Sequence, residues 1–420
     1  MKQSSTFRAS SARHNSKDFM HVNHKLTIAL VLFSLNVLGQ GLSREAPPAP
    51  EHPMGAQVPP APEHPLGAQE ARQEAGRLKA EWLQETKAKY EKSWQEGSIG
   101  IGDRTMPFLY KEFGEKPADG YSLYISLHGG GSAPKEVNDQ QWQNQIRLYE
   151  PANAIYVAPR APYDDWDMWF KPGLDDFYQA LIEMTVAIRD VNPDKVYLLG
   201  YSAGGDGVWR MAPRMADSWA AASMMAGHPG DVSLLNLRNL PFMNWCGALD
   251  GAYKRNYENR VRGAELDSLQ RADPDGYIHE THIVQGKPHW MDRVDTGAVS
   301  WMAQYRRNPY PEKIVWRQEE VVHPHFYWLS APKDELQRGK TVRLERKANR
   351  VNITQCDYSS LTLYFNDEMV NLDKKVVIQY NGKTLFKGKL QRTKENMRRT
   401  LHERGDLRYM FPSSVSVSQN

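Results

Sequence analysis

Between residues 100 and 307, strand-forming and helix-forming runs alternate, and three chemically loaded motifs fall at strand ends. This alternation constrains the fold most, because a strand–helix–strand order closes into a mostly parallel sheet only when helices cover its faces. Strand patterns occupy 121–127, 153–158, 195–199, 219–225, 241–246 and 277–284. Helical spacing occupies 175–190, where Phe177, Leu181, Met184 and Ile188 share a face, and 202–216. Groups that follow parallel strands gather on one edge of the sheet, where such folds bind their ligands.

The first motif is Gly200-Tyr201-Ser202-Ala203-Gly204, between the 195–199 strand and the 202–216 helix. A sharp strand-to-helix turn holds a nucleophile in strained backbone, and small neighbours avoid a clash there. The hydroxyl then stands above the sheet beside a helix N-terminus that favours developing negative charge. Five residues of this kind arise by chance in about one chain in seven of this length, so the flanking strand and helix give the motif its weight. The second motif is His128-Gly129-Gly130-Gly131, at the end of the 121–127 strand. Consecutive glycines let backbone N–H groups face a site with no side chain in the way. The third element is a carboxylate and a histidine, because a serine nucleophile needs a base and the base an orienting acid. Asp250 follows the 241–246 strand and His289 follows the 277–284 strand.

With these residues in place the chain resembles the α/β-hydrolases over about residues 100–307. The order Ser202, Asp250, His289 matches the order in that family, and the glycine run matches the oxyanion loop of its lipases and esterases. The resemblance implies an α/β-hydrolase fold, a mostly parallel sheet covered by helices. It also implies that Ser202 attacks an acyl carbonyl, His289 moves the proton, and Asp250 orients His289. The N–H groups of Ala203, Gly129 and Gly130 are expected to hold the oxyanion. The compact layout is similar to secreted esterases and poly(hydroxyalkanoate)-depolymerase-like enzymes.

Other residues compete for these roles. Asp231 is the rival acid, since some hydrolases place it one strand earlier; His279 and His282 are rival bases within a strand pattern, where structural roles prevail. His228 sits in an end-of-strand turn that could line the site, and His128 is expected to brace the glycine loop. Aromatic side chains crowd the same edge: Trp166 and Trp169 on the loop after 153–158, and Tyr201 and Trp290 beside catalytic positions. Tyr201 and Trp166 are expected substrate contacts, with ordinary packing the alternative for any single aromatic.

The flanks carry different signals. A short apolar run at 26–38, after Lys25 and before small residues, has the layout of a signal peptide in residues 1–40, with Met20 a possible start. Retention as a membrane anchor is the alternative. Residues 41–69 hold a Pro-rich repeat that reads as a semi-rigid spacer; His52 and His64 on it are not expected to bind metal. At 70–96, Ala71, Ala75, Leu78, Trp82, Tyr90 and Trp94 give a helix one apolar face, expected to pack on the catalytic domain, which spans 70–309. Residues 310–420 read as a small β-rich domain with runs at 313–317, 325–329, 341–345, 350–354, 361–365 and 375–380. Asn381-Gly382 marks a hairpin and 393–404 a capping helix. Phe326 and Trp328 there suggest either a polysaccharide surface or, preferably, packing, and His323 and His325 lack a third metal ligand.

Net charge is +3, from 53 basic and 50 acidic residues, which gives no electrostatic reason for a nucleic-acid partner. Cys246 and Cys356 are the two cysteines; a buried thiol is expected at Cys246, with a cross-link between them the alternative. No cofactor or metal is expected. The sequence therefore reads as an exported serine hydrolase of small-molecule or polymer-linked esters. An exported serine peptidase, or a silent carbohydrate-binding or cell-surface protein, are the alternatives.

Overall fold

The structure is a computed structural model that describes residues 64–418 and the backbone of Ala56 and Gln57. The expected signal segment and most of the Pro-rich spacer, including His52, lie outside the described residues. In chain order, β1 (Ala56–Gln57) precedes α1 (Ala68–Glu96), β2 (Ser98–Ile101), β3 (Arg104–Phe113) and β4 (Tyr121–Leu127). Then come α2 (Lys135–Gln145), β5 (Ala154–Pro159), α3 (Leu174–Arg189), β6 (Val191–Tyr201) and α4 (Ala203–Arg214). β7 (Ala221–Met225), β8 (Phe242–Gly247), α5 (Arg255–Ala272), β9 (His279–Val284) and α6 (Gly297–Met302) complete the first part.

Strands β2 to β9 form one eight-stranded sheet in the order β2-β3-β5-β4-β6-β7-β8-β9. Pairing is antiparallel from β2 to β5 and parallel from β5 to β9. The central strands are buried on both faces, so their side chains divide by alternation between two apolar clusters. Leu123, Ile125 and Leu127 face the cluster that includes residues of α1, α3 and α4. Tyr124, Tyr156, Tyr197 and Leu199 face the other, with Ile146, Tyr149 and Trp301. This is the helix-covered, mostly parallel sheet expected from the alternation.

α1 lays Leu78, Trp82 and Tyr90 against this body, and the Tyr90 hydroxyl donates to Glu183 of α3 at 3.0 Å. No helix among the described residues is long and apolar enough to cross a membrane.

The rest of the chain is β-rich, as expected. β10 (Lys313–Arg317), β11 (His325–Phe326), β12 (Leu329–Ser330), β13 (Thr341–Lys347), β14 (Arg350–Cys356), β15 (Ser360–Phe365), β16 (Val376–Tyr380), β17 (Lys383–Gly388), α7 (Lys394–Arg404) and β18 (Ser413–Ser418) follow in order. They make two five-stranded sheets, β1-β18-β15-β12-β11 and β10-β13-β14-β16-β17. The β16–β17 hairpin turns at Asn381 and Gly382, both with positive φ, as a two-residue primed turn requires. Phe326, Tyr327 and Trp328 are buried in the same cluster as α3 and α4, so these aromatics pack and do not form a sugar-binding surface. Cys246 is a free buried thiol that burial pushes up to about 12.

The two parts are locked by Arg307, whose side chain is 2% exposed. It donates to Asp194 at 3.0 Å, to Asp406 at 2.6 Å and to the Asp217 carbonyl at 2.9 Å. Truncating it would leave the largely buried Asp406 carboxylate without its cation and strip Asp194 of one of two, Arg408 at 3.1 Å being the other. Arg307→Ala is expected to destabilise the protein by about 3–5 kcal/mol, read as a lower denaturant midpoint.

Candidate active site

Ser202 occupies the turn between β6 and α4 with φ 58° and ψ −120°, a region non-glycine residues rarely adopt. Two contacts hold it there. Its N–H donates to the Met225 carbonyl of β7 at 2.9 Å, and its carbonyl accepts the Asp206 N–H at 2.9 Å. The turn also needs Gly204: a Cβ there would collide with the Leu127 carbonyl oxygen at the end of β4.

The two loops carrying Asp250 and His289 are laced together before they reach Ser202. Ala248 N–H donates to the Val284 carbonyl and Leu249 N–H to the Lys287 carbonyl, both at 2.9 Å. The side chains then form one chain of hydrogen bonds. His289 Nδ1 meets Asp250 Oδ2 at 2.7 Å, and His289 Nε2 meets Ser202 Oγ at 2.9 Å. A buried carboxylate at Nδ1 places the imidazole proton there, which leaves Nε2 as the acceptor for the serine hydroxyl. The Asp250 side chain is 1% exposed and that of His289 41%, so the acid is shielded while the base opens to the pocket.

The glycine loop sits beside this chain. A Cβ on Gly129 would fall within 3.2 Å of Ser202 Cβ, so the loop passes directly over the nucleophile. Gly130 has φ 112°, and a side chain there would strike Asn138 Oδ1. Gly131 N–H is taken by Asn138 at 2.9 Å. The N–H groups of Gly129, Gly130 and Ala203 have no protein acceptor among the described residues, so they remain available to an oxyanion. His128 braces the loop, as expected. Its Nε2 accepts the Ala161 N–H at 3.2 Å, its Nδ1 donates to the Gly129 carbonyl at 2.6 Å, and burial holds its imidazole down at about 3.

Asn138, which carries no sequence motif, anchors the loop through more than one bond. It is fully buried, and its amide donates to the Ala133 carbonyl at 3.1 Å and to Asp164 Oδ1 at 2.7 Å. Asp164 in turn pairs with Arg160. Removing the Asn138 amide frees the loop that must meet the transition state. Asn138→Ala is expected to lower kcat by up to about 100-fold with a smaller effect on KM, checked by steady-state kinetics on a short-chain ester.

The remaining sequence candidates separate cleanly. Asp231 lies away from His289, held by Arg210 at 2.9 Å and Arg338 at 2.6 Å, and these cations bring its carboxyl down to about 2. His279 contacts the Tyr277 carbonyl and Asp267; His282 contacts Glu280 and stacks on Trp245. His228 accepts the Gly230 N–H through Nδ1 at 3.0 Å, and its own N–H donates to Asp206 at 2.6 Å. Burial raises the Asp206 carboxyl to about 6. Asp206 was another residue missed from sequence; its carboxylate ties the first turn of α4 to the turn after β7.

A cavity of about 640 Å³ opens over Ser202. It is lined by Gly129, Gly130, Ser202 and His289, by the aromatic Tyr201 and Trp290, and by residues of α2 and the turn after it. Tyr201 therefore lines the cavity, but its hydroxyl is committed: it donates to the His289 carbonyl at 2.6 Å and accepts the Met291 N–H at 3.0 Å. It fixes the base's loop as well as facing the pocket. Trp166 does not line this cavity. It is 61% exposed and packs edge-on against Phe170, while Lys171 pairs with Asp165 and Asp167 of the same loop. Trp169 is wholly buried.

No protein-family model matches the chain, and no curated protein sequence matches it. Solved structures similar to it include a thermostable esterase, at 16% identity and TM-score 0.38, over 50% of this chain and 62% of that one. The chain thus spans less than two thirds of that esterase. A fluorophosphonate-binding serine hydrolase of Staphylococcus aureus is similar at 15% identity and TM-score 0.34, over 48% of this chain and 92% of that one. A ferulic acid esterase is similar at 14% identity and TM-score 0.35, over 49% of this chain and 96% of that one.

Proposed function

We propose that this chain is an exported serine hydrolase that cleaves carboxylic esters through an acyl-enzyme. The observation that carries the reading is the unbroken hydrogen-bond chain from Ser202 through His289 to Asp250, with uncommitted N–H groups beside the nucleophile. Ser202 Oγ attacks the acyl carbonyl carbon while His289 Nε2 takes its proton, and Asp250 stabilises the imidazolium that forms. The N–H groups of Ala203 and the Gly129–Gly130 loop receive the negative charge of the tetrahedral oxygen, where preorganised donors act most strongly. The C–O bond to the alcohol breaks as His289 returns the proton to the leaving oxygen. Water, deprotonated by His289, then releases the acid and restores Ser202.

Export rests on the apolar segment near the N-terminus, and a retained segment would tether the enzyme to a membrane. The substrate is a small-molecule or polymer-linked ester, and the reaction needs no cofactor or nucleic acid. Hydrolysis of short-chain esters, with peptides of matched acyl groups left intact, is expected. Efficient peptide cleavage would replace the esterase by a peptidase of the same machinery, and absence of both activities would leave a silent domain.

A further inference from the structure

The cavity over Ser202 has one feature that ester chemistry alone does not require. Arg147, just beyond the C-terminus of α2, lines it, and no acceptor or carboxylate among the described residues engages its guanidinium. Apart from His289, it is the one basic or acidic side chain among the described residues that line this cavity. Gln141 and Asn144, about two turns and one turn before it along the chain, line the same cavity and supply carboxamides. Trp290 and Tyr201 tilt against each other at 5.4 Å.

The position of this segment is fixed. Gln145 donates to Ser126 Oγ at 2.7 Å, and the Tyr156 hydroxyl donates to the Gln145 carbonyl at 2.7 Å, pinning the end of α2 to the sheet. Arg293 donates to the Leu148 carbonyl at 2.6 Å and holds the turn that carries Arg147. A planar guanidinium with its fork uncommitted matches a carboxylate in two parallel hydrogen bonds. The aromatic faces of Trp290 and Tyr201 in the same cavity offer a surface to a ring.

We propose that the substrate is an ester of a ring compound carrying a carboxylate, with the ring against Trp290 and the carboxylate on Arg147. This inference rests on the esterase reading, and it makes Arg147 a specificity-determining residue of the same site.

The test uses matched pairs of esters that differ only in a ring carboxylate or its carboxamide, one pair on an aromatic ring and one on a pyranose. The full chain is expected to favour the carboxylate member of at least one pair by about 10–100-fold in kcat/KM. The pair that shows the preference identifies the ring. The ratio should fall to near one in Arg147→Gln, invert in Arg147→Glu and recover in part in Arg147→Lys. Ser202-dependent turnover with no carboxylate preference in either pair, or a preference that survives Arg147→Glu, would overturn the inference and leave the esterase reading standing. No Ser202-dependent turnover of any member would overturn the esterase reading and the inference together.

Discussion

Replacing Ser202 with alanine is expected to lower ester turnover by about 10⁴- to 10⁶-fold, with folding and thermal stability nearly unchanged. The size of the loss follows from the geometry. Without Oγ, His289 has no nucleophile to deprotonate, and only the N–H groups and the cavity remain to assist attack by water. The small structural effect follows because Ser202 is held by its backbone, through Met225 and Asp206, and by the collision-free approach of Gly204 to β4. A steady-state assay beside a thermal melt separates the two quantities.

Asp250→Asn is expected to cost about 10⁴-fold in kcat, with KM little changed because Asp250 does not line the cavity. The amide presents a donor or a neutral acceptor to His289 Nδ1, so the imidazole is no longer fixed with its proton on that nitrogen. The charge that balances the imidazolium is also lost. Asp231→Asn made in parallel should leave turnover essentially unchanged, since Asp231 pairs with Arg210 and Arg338 and does not touch His289. A comparable loss in both variants would mean that the two substitutions act through folding, which the denaturant midpoint would reveal.

The sequence made the sheet and its chemical edge legible because both follow from local rules. Strand runs at 121–127 and 277–284 carry strong β-formers, and the glycine motifs mark turns that only small residues can make. Asn381-Gly382 and the apolar face of α1 were readable for the same reason. α2 was not: Lys135–Gln145 holds only Val137 and Trp142 as apolar residues, so it has no periodic face to detect. Its place is set by tertiary bonds, among them Gln145 to Ser126 and Trp142 Nε1 to the Ala158 carbonyl at 2.8 Å. That blind spot hid Asn138, which anchors the glycine loop, and Arg147, which lines the cavity. Trp166 follows a strand, as the catalytic residues do, yet it is not among the residues lining the cavity over Ser202.

The most direct measurement of the central claim is covalent capture by a fluorophosphonate, which phosphonylates a serine only when a base and an oxyanion site activate it. Peptide mapping is expected to place one adduct on Ser202, with labelling lost in Ser202→Ala and strongly slowed in His289→Gln. Labelling that persists in Ser202→Ala, or an adduct mapped to another residue, would contradict the assignment of Ser202 as the nucleophile.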